Sequence, residues 1–181
     1  MVNQYVFFPP IFRAIIARVN TYFSTLAANP FIVSAHVGLY TQVGNDIKDG
    51  DVKGKVLVWL VMPYVENRRN MGYASVIKPM IVLLTDTEAN AKQTNRESDT
   101  FQALLIPVLN QILYQITQED TLDNNNYNQH FAELLPFYGG GVVAGTSVPN
   151  IWNQYYDTLK ISEIELKIKP NNCPVGLTIL N

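Results

Sequence analysis

Apolar residues recur at intervals of three and four in two stretches of the chain, a spacing typical of amphipathic helices. The first stretch spans residues 11–28 and follows a Pro-Pro pair, which is tolerated in the first turn of a helix. The second spans residues 101–116, and Ser98 or Asp99 just before it is a suitable helix cap. Pro107 lies inside this second stretch, so we expect the helix to be kinked or divided in two.

Three further stretches have the patterns of β-strands. Residues 31–43 alternate between apolar and polar positions, which is the period of a strand with one buried face. Residues 55–62 are apolar at nearly every position, which predicts a central strand that is covered on both faces and ended by Pro63. Residues 77–85 predict a third strand, and Pro79 indicates that this strand starts late or has one free edge.

A last strand is predicted near the end of the chain, where apolar and charged residues alternate. Ile164, Leu166 and Ile168 point to one side and are expected to be buried. The charged residues around them point to the opposite, solvent-exposed side: Glu163, Glu165, Lys167 and Lys169. A short helical piece around residues 151–156 is expected before this strand.

The order of these elements predicts an α+β domain. Its mixed, mostly antiparallel sheet would have about four or more strands, with the two main helices packed on one face. Residues 86–99 and 117–128 are polar, lack an apolar period and are expected to form long loops. We expect residues 1–181 to form a single domain, with an extended lead-in over residues 1–9 and a tail over residues 171–181.

The composition favours a packed domain whose surface meets other protein. Hydrophobic residues make up 48% of the chain and charged residues only 15%, against about 25% charged residues in a typical domain. A surface with so few charges is poorly protected against association. The formal net charge of -2 gives no bulk attraction to nucleic acid or to an anionic membrane. No signal peptide is expected, because the apolar N-terminus lacks a basic region and is broken by Pro9–Pro10. No membrane-spanning run is expected, because the most apolar stretch, residues 56–62, is too short.

No residue pattern predicts catalysis. His36 and His130 have no neighbouring metal ligands in the sequence, and Cys173 has no basic neighbour that would lower the pKa of its thiol. The three glycines at residues 139–141 lack the lysine and the Ser or Thr of a phosphate-binding loop. We therefore expect a protein that is not an enzyme and that uses no cofactor and no metal.

Arg68 and Arg69 lie close to tyrosines in a segment that we expect to be an exposed loop. Arginines and aromatic rings together are typical of nucleic-acid contacts. Because two arginines are a weak signal, a solvated turn or a polar contact between subunits is the favoured interpretation.

Two runs of the chain have a pattern beyond their secondary structure. Between Lys78 and Gln115, an apolar strand ending in Thr and Asp leads through a polar segment to a helix. The polar segment contains Asn95–Arg96–Glu97, and the helix carries Phe101, Leu104 and Pro107. Between Trp152 and Cys173, an aromatic residue and Asp157 precede the amphipathic strand. Both runs resemble the tail-terminator and neck proteins of tailed bacteriophages.

This resemblance implies a ring-forming structural protein, often a hexamer, that joins the tail to the head connector. Its partners would be further copies of itself, other neck and tail proteins, and DNA only as passing cargo, with no membrane. It would be assembled in the host cytoplasm and reside in the virion. Candidate contacts with neighbouring subunits or partners are Arg68, Arg69, Asn95, Arg96, Glu97, Asn125 and Tyr127. The candidate channel-lining residues are Glu163, Glu165, Lys167 and Lys169.

Two alternatives stay open at this stage. The chain could be a different head–tail adaptor or stopper ring of the same neck. It could also belong to another class, a small-ligand-binding or enzymatic domain whose site is assembled only in three dimensions.

Overall fold

The computed structural model describes residues 7–26, 30–39, 55–67, 75–86, 92–123, 130–138 and 156–169. These residues form two main helical segments and a mixed, mostly antiparallel sheet of seven strands, which confirms the predicted α+β class. The strands are β1 (Ile32–Gly38), β2 (Lys55–Asn67), β3 (Ser75–Asp86), β4 (Leu122–Asp123), β5 (Phe131–Tyr138), β6 (Tyr156–Ser162) and β7 (Leu166–Ile168).

Helix α1 (Phe8–Ser24) begins inside the stretch that we expect to be an extended lead-in. Its first turn contains the Pro-Pro pair, at positions where a missing backbone N–H removes no helical hydrogen bond. The helix also ends before residue 28. Thr25 is the C-cap of the helix, and its hydroxyl donates to the Thr21 carbonyl at 2.9 Å. Tyr22 and Leu26 belong to the predicted apolar period but are exposed. The buried side chains of α1 include Phe8, Ile11, Phe12, Ile15, Ile16, Val19 and Phe23.

The second helical segment, α2, covers residues 93–117 in three stretches. An α-helical turn (Gln93–Asn95) leads into a π-helix (Arg96–Leu105), which is followed by an α-helix (Ile106–Thr117). The change from π- to α-helix occurs next to Pro107, in agreement with the predicted division of the helix.

The start of α2 differs from the prediction. Ser98 and Asp99 lie within the helix, so the expectation that one of them caps it is wrong, as is the expectation of a loop up to residue 99. The side chains that face inward here are Arg96 and Thr100, which are 2% and 9% exposed. Because both are polar, no apolar period marks this part of the helix in the sequence.

The sheet has the strand order β1-β2-β3-β6-β5. Strand β7 pairs with β3 on the side where β6 also pairs, and β4 pairs with β7. Only β1 and β2 are parallel, and every other pair is antiparallel.

Side chains of the sheet alternate between two buried faces. Val56, Val58 and Leu60 of β2 belong to one apolar cluster together with side chains of α1 and α2, and we call this side the helix face. Leu57 and Trp59, which point to the opposite side, are also buried, and we call that side the second face. The burial of both sets agrees with the predicted central strand that is covered twice.

Two prolines lie inside strands rather than at their ends. Pro63 does not end β2, because the strand continues to Asn67, and β3 does not start late, because it begins at Ser75 before Pro79. The alternative expectation, a free edge at Pro79, is met locally, because β6 and β7 pair with residues on either side of it. The register between β2 and β3 shifts in the region of these two prolines, where neither proline is paired with a residue of the other strand.

The opposite side of β3 explains why Pro79 is tolerated in the middle of the sheet. Strand β6 pairs with residues 81–86 of β3, and β7 pairs with residues 75–77. Pro79 therefore lies at a gap in both neighbouring ladders, where the missing N–H removes no sheet hydrogen bond.

Several strands were outside the sequence prediction. Strand β4 lies in the predicted loop over residues 117–128, and β5 has no predicted counterpart. Strand β6 starts at Tyr156, where a helical piece is expected. It is separated from β7 by residues 163–165, where the φ of Glu163 (63°) lies in the left-handed region. The strand predicted over residues 163–169 is therefore this link followed by the short strand β7.

Helices α1 and α2 are connected by a polar contact at the end of α2. The Arg18 guanidinium donates to Glu119 Oε2 at 2.6 Å and to Gln115 Oε1 at 2.9 Å. The Thr121 hydroxyl donates to Glu119 Oε1 at 2.8 Å. Burial raises the pKa of Glu119, but the hydrogen bonds from Arg18 and Thr121 and the charge of Arg18 outweigh it, so this pKa lies below its ordinary value of 4.5.

We expect Glu119→Gln to lower the free energy of unfolding at pH 7 by about 1 kcal/mol, because it removes one charge-assisted bond near the surface. A lowered pKa means that the folded state binds this proton less tightly than the unfolded chain does. The stabilisation by Glu119 is thus complete at a pH above its pKa in the unfolded chain. It is lost as the pH falls through the lower pKa of Glu119 in the folded protein. Urea denaturation between about pH 7 and pH 3 measures the free energy of unfolding of both proteins. The difference between Glu119→Gln and wild type should disappear at the acid end of this range. Glu163→Gln is the matched control, and a pH-independent loss in Glu119→Gln would contradict the ionic contribution.

Candidate functional site

The candidate contact residues fall into three groups in the structure. Arg68, Arg69, Asn125 and Tyr127 lie outside the described residues. Asn95 and Glu97 are exposed on α2 and stay candidates for contacts with a neighbour. Arg96 lies between them in sequence but is only 2% exposed, so its assignment as a partner contact is wrong.

Arg96 forms an ion pair with Asp157 inside the protein. Arg96 Nε donates to Asp157 Oδ2 at 3.3 Å, and Arg96 Nη2 contacts the other carboxylate oxygen, Oδ1. The two side chains are 2% and 0% exposed. Because a buried charge is tolerated only when it is paired and hydrogen-bonded, this contact fixes the π-helical stretch of α2 against β6.

The sequence gives no signal for this pair, since the two residues are separated by 61 positions. The residues do occur in the two runs that resemble phage neck proteins, one in each run. The structure brings the runs together on the helix face of the sheet, where the Arg96–Asp157 contact joins α2 to β6.

A surface of mixed charge lies on the second face, toward the end where β7 joins β3. We call it the mixed-charge surface, and it consists of Lys78, Glu133, Lys160, Glu165 and Lys167. Lys160 lies between Leu159 and Ile161, and Lys167 lies between Leu166 and Ile168, all four of which are in the helix-face cluster. Strand alternation therefore directs both lysines to the second face.

The ion pairs of this surface cross strand boundaries. Lys160 Nζ lies 2.7 Å from Glu133 Oε2, between β6 and β5. Glu165 contacts two lysines, with Lys78 Nζ at 3.4 Å from Oε2 and Lys167 Nζ at 3.8 Å from Oε1. The exposed fractions of these side chains range from 20% for Lys167 to 61% for Lys78, so each pair contributes at most about 1 kcal/mol to stability.

The net charge of the mixed-charge surface is close to zero. Three lysines and two glutamates give a formal charge of +1, and each lysine has a carboxylate within 4.0 Å. A surface of this kind binds a phosphate backbone weakly, because affinity for DNA grows with the number of phosphates that cationic side chains neutralise.

The structure relates the four candidate channel-lining residues to this surface in different ways. Glu165 and Lys167 are part of it. Glu163 is exposed in the link between β6 and β7, and half-buried Lys169 donates its backbone N–H to the Thr121 carbonyl at 2.9 Å. Glu133 and Lys160 are absent from the sequence prediction because β5 and β6 are not visible in the pattern. Lys78 lies on the predicted strand β3, but its contact with Glu165 depends on the pairing of β3 with β7.

The described part of the chain does not support the other candidate sites, which are the histidines, the cysteine and the glycine run. His36 and His130 are both half-buried, and Cys173 and the three glycines fall outside it. Among the residues that the structure describes, no group of three His, Cys, Asp or Glu side chains could hold a metal ion. Burial, together with the charge of Asp86, raises the pKa of Tyr156 to about 12, so this phenol stays protonated at neutral pH.

None of the helices in the described ranges is long and apolar enough to cross a membrane. The comparisons with known proteins give no family for the chain. No protein-family profile matches it, and no curated protein is significantly similar to it.

Proposed function

We propose that this chain is a ring-forming structural protein of a tailed bacteriophage, a tail terminator or neck component that joins the tail to the head connector. The observation that carries the proposal is the mixed-charge surface on a sheet that otherwise has a densely packed apolar interior. The resemblance in the runs around Arg96 and Asp157 supports the same class of protein.

A nearly neutral, ion-paired sheet face suits the wall of a channel through which DNA passes. Unpaired lysines would bind successive phosphates and retard the DNA, whereas a strongly acidic wall would repel it. On the mixed-charge surface, neighbouring carboxylates offset the lysines, so DNA would slide past with little net attraction. In a ring, this face of every subunit would line the lumen.

The proposal is tested first by the assembly state of the purified protein. Light scattering and negative-stain imaging should show closed rings, hexamers or larger, with a central channel. A monomer or dimer with a ligand-filled pocket would instead favour the alternative of a small-ligand-binding or enzymatic domain. A ring that assembles on a head connector rather than on a tail tube would indicate a different head–tail adaptor or stopper ring.

The lumen assignment predicts the effect of reversing two charges. We expect Lys167→Glu/Lys169→Glu to leave ring assembly intact and to reduce DNA delivery by phage particles that carry the variant, because the channel wall becomes acidic. Arg13→Glu/Lys92→Glu is the matched control, since it reverses two exposed charges outside the sheet. Loss of rings in the lysine variant, or equal loss of DNA delivery in both variants, would overturn the lumen assignment.

A further inference from the structure

The π-helical stretch of α2 is wound differently from the helical turns on either side of it. At its end, the Ile106 N–H donates to the Phe101 carbonyl, five residues back instead of four. At its start, the Arg96 N–H donates to the Lys92 carbonyl, four residues back, at 3.1 Å. The winding therefore changes within this stretch, and the change decides which of its side chains face the sheet.

The π winding is what puts Arg96 on the buried side of α2. Arg96 and Leu105 are 2% and 0% exposed. Their separation of nine positions is about two and a half turns of an α-helix, so an α-helix would point them to opposite sides. Thr100 is 9% exposed, and in an α-helix it would lie about 1.4 turns from Leu105 and also face away from the sheet. The burial of both polar side chains thus depends on the π winding.

An α-helical winding of the same residues would bury a different side chain. Ser98 precedes Leu105 by seven positions, about two turns of an α-helix, so it would face the sheet. In the structure, Ser98 is exposed. Phe101 lies about one turn from Leu105 in either winding and is buried. The stretch thus has two possible registers, which share the apolar contacts and differ in whether Arg96 or Ser98 faces inward.

The ion pair with Asp157 favours the π register. In proteins the π form occurs mostly as single turns inside α-helices, so a stretch of 10 residues needs a tertiary contact to hold it. The Asp157 carboxylate, which is 0% exposed, contacts both Nε and Nη2 of Arg96. The α register would break this contact, which is strongly unfavourable at a buried site. Buried polar groups are known to specify register in other helical proteins.

We propose that the Arg96–Asp157 ion pair selects the π register, and that removal of the Asp157 charge converts the stretch to an α-helix with Ser98 facing the sheet. Arg96 would then lie on the exposed side between Asn95 and Glu97, the two exposed candidates for contacts with a neighbour. The pair therefore determines whether this surface presents an arginine. The register change needs no neighbouring subunit, so it is independent of the proposed ring function.

The reactivity of single thiols tests the register. In a Cys173→Ser background only the introduced cysteine reacts, and Ser98→Cys should react faster than Thr100→Cys. Adding Asp157→Asn should slow Ser98→Cys by about 10-fold and speed Thr100→Cys by about 10-fold, because reactivity follows exposure. Any other pattern, including faster reaction of both thiols through local unfolding, would overturn the proposal. Thermal unfolding checks that each variant folds.

A buried leucine gives a second, independent measurement. In the wild-type background Ser98→Leu lies on the exposed side, so it should change the folding equilibrium constant by less than about 2-fold. In the Asp157→Asn background it should raise this constant by about 10-fold, because the leucine becomes buried. Ala103→Leu is the matched control, since Ala103 is exposed here and would also face outward in an α-helix. Urea denaturation measures all four double-variant combinations, and equal effects of Ser98→Leu in both backgrounds would overturn the proposal.

Discussion

Replacing Asp157 with alanine is expected to lower the free energy of unfolding by about 3–5 kcal/mol. The carboxylate is fully buried and pairs with Arg96, so its removal takes this negative charge away from a buried guanidinium. For a domain of this size, we expect the midpoint of thermal unfolding to fall by roughly 6–20 °C. Urea denaturation and calorimetry of the purified variant measure the two quantities.

Two further variants show whether the loss comes from removing the negative charge beside Arg96. Arg96→Met/Asp157→Leu removes both charges and keeps apolar volume, so it should recover most of the stability lost in Asp157→Ala. Lys160→Gln, which breaks a partly exposed ion pair on the same strand, should cost less than about 1 kcal/mol. If the double variant were as unstable as Asp157→Ala, packing rather than charge would explain the effect.

Trp59→Ala is the second large expected effect, with a loss of about 3–5 kcal/mol in the free energy of unfolding. The indole is 1% exposed on the second face of the sheet, and its Nε1–H donates to the Gly38 carbonyl at 3.0 Å. The substitution therefore leaves a cavity in the centre of the sheet and also removes a bond between β2 and the end of β1. Urea denaturation of the purified variant gives the magnitude.

A smaller substitution separates the two contributions. Trp59→Phe keeps most of the ring volume but loses the donor, so we expect a loss of about 1–2 kcal/mol. Tyr114→Ala, on the exposed side of α2, is the control for removing an aromatic side chain and should change stability by less than about 0.5 kcal/mol. Equal losses in Trp59→Phe and Trp59→Ala would mean that the hydrogen bond, and not the packing, dominates.

The parts of the fold that the sequence predicts are those with a strong hydrophobic period. The buried face of α1, the α-helical part of α2 and the doubly covered strand β2 all have an apolar pattern that matches their geometry. Burial of Ile164, Leu166 and Ile168 likewise follows from alternation. These patterns are local, and each identifies an element and its inward side without reference to the rest of the chain.

The parts that the sequence does not predict depend on contacts between distant residues. Arg96 is a charged residue, and its burial depends on a pairing with Asp157 on β6, which is distant in the sequence. Pro79 is compatible with a central strand only because β6 and β7 leave a gap beside it. Strand β4 contains only two residues, Leu122 and Asp123, and is held by its pairing with β7, so no local pattern could show it.

The mixed-charge surface shows the same limit at the candidate site. Alternation correctly puts Glu165 and Lys167 on a polar side, but their companions Lys78 and Lys160 come from β3 and β6. Whether those charges form a lysine cluster or an ion-paired surface depends on which strands are neighbours. That choice decides whether the lysines of this face are offset by neighbouring carboxylates.

The sequence by itself determines the α+β class, the main helices, the apolar interior and the absence of charge over residues 19–45 and 134–156. Only the tertiary structure decides that strands from these tracts lie at opposite edges of one sheet, and that Arg96 and Asp157 meet inside it. The physical reason is that hydrophobic periodicity is a local property that each segment carries, whereas strand order and charge pairing arise from long-range contacts when the segments pack together.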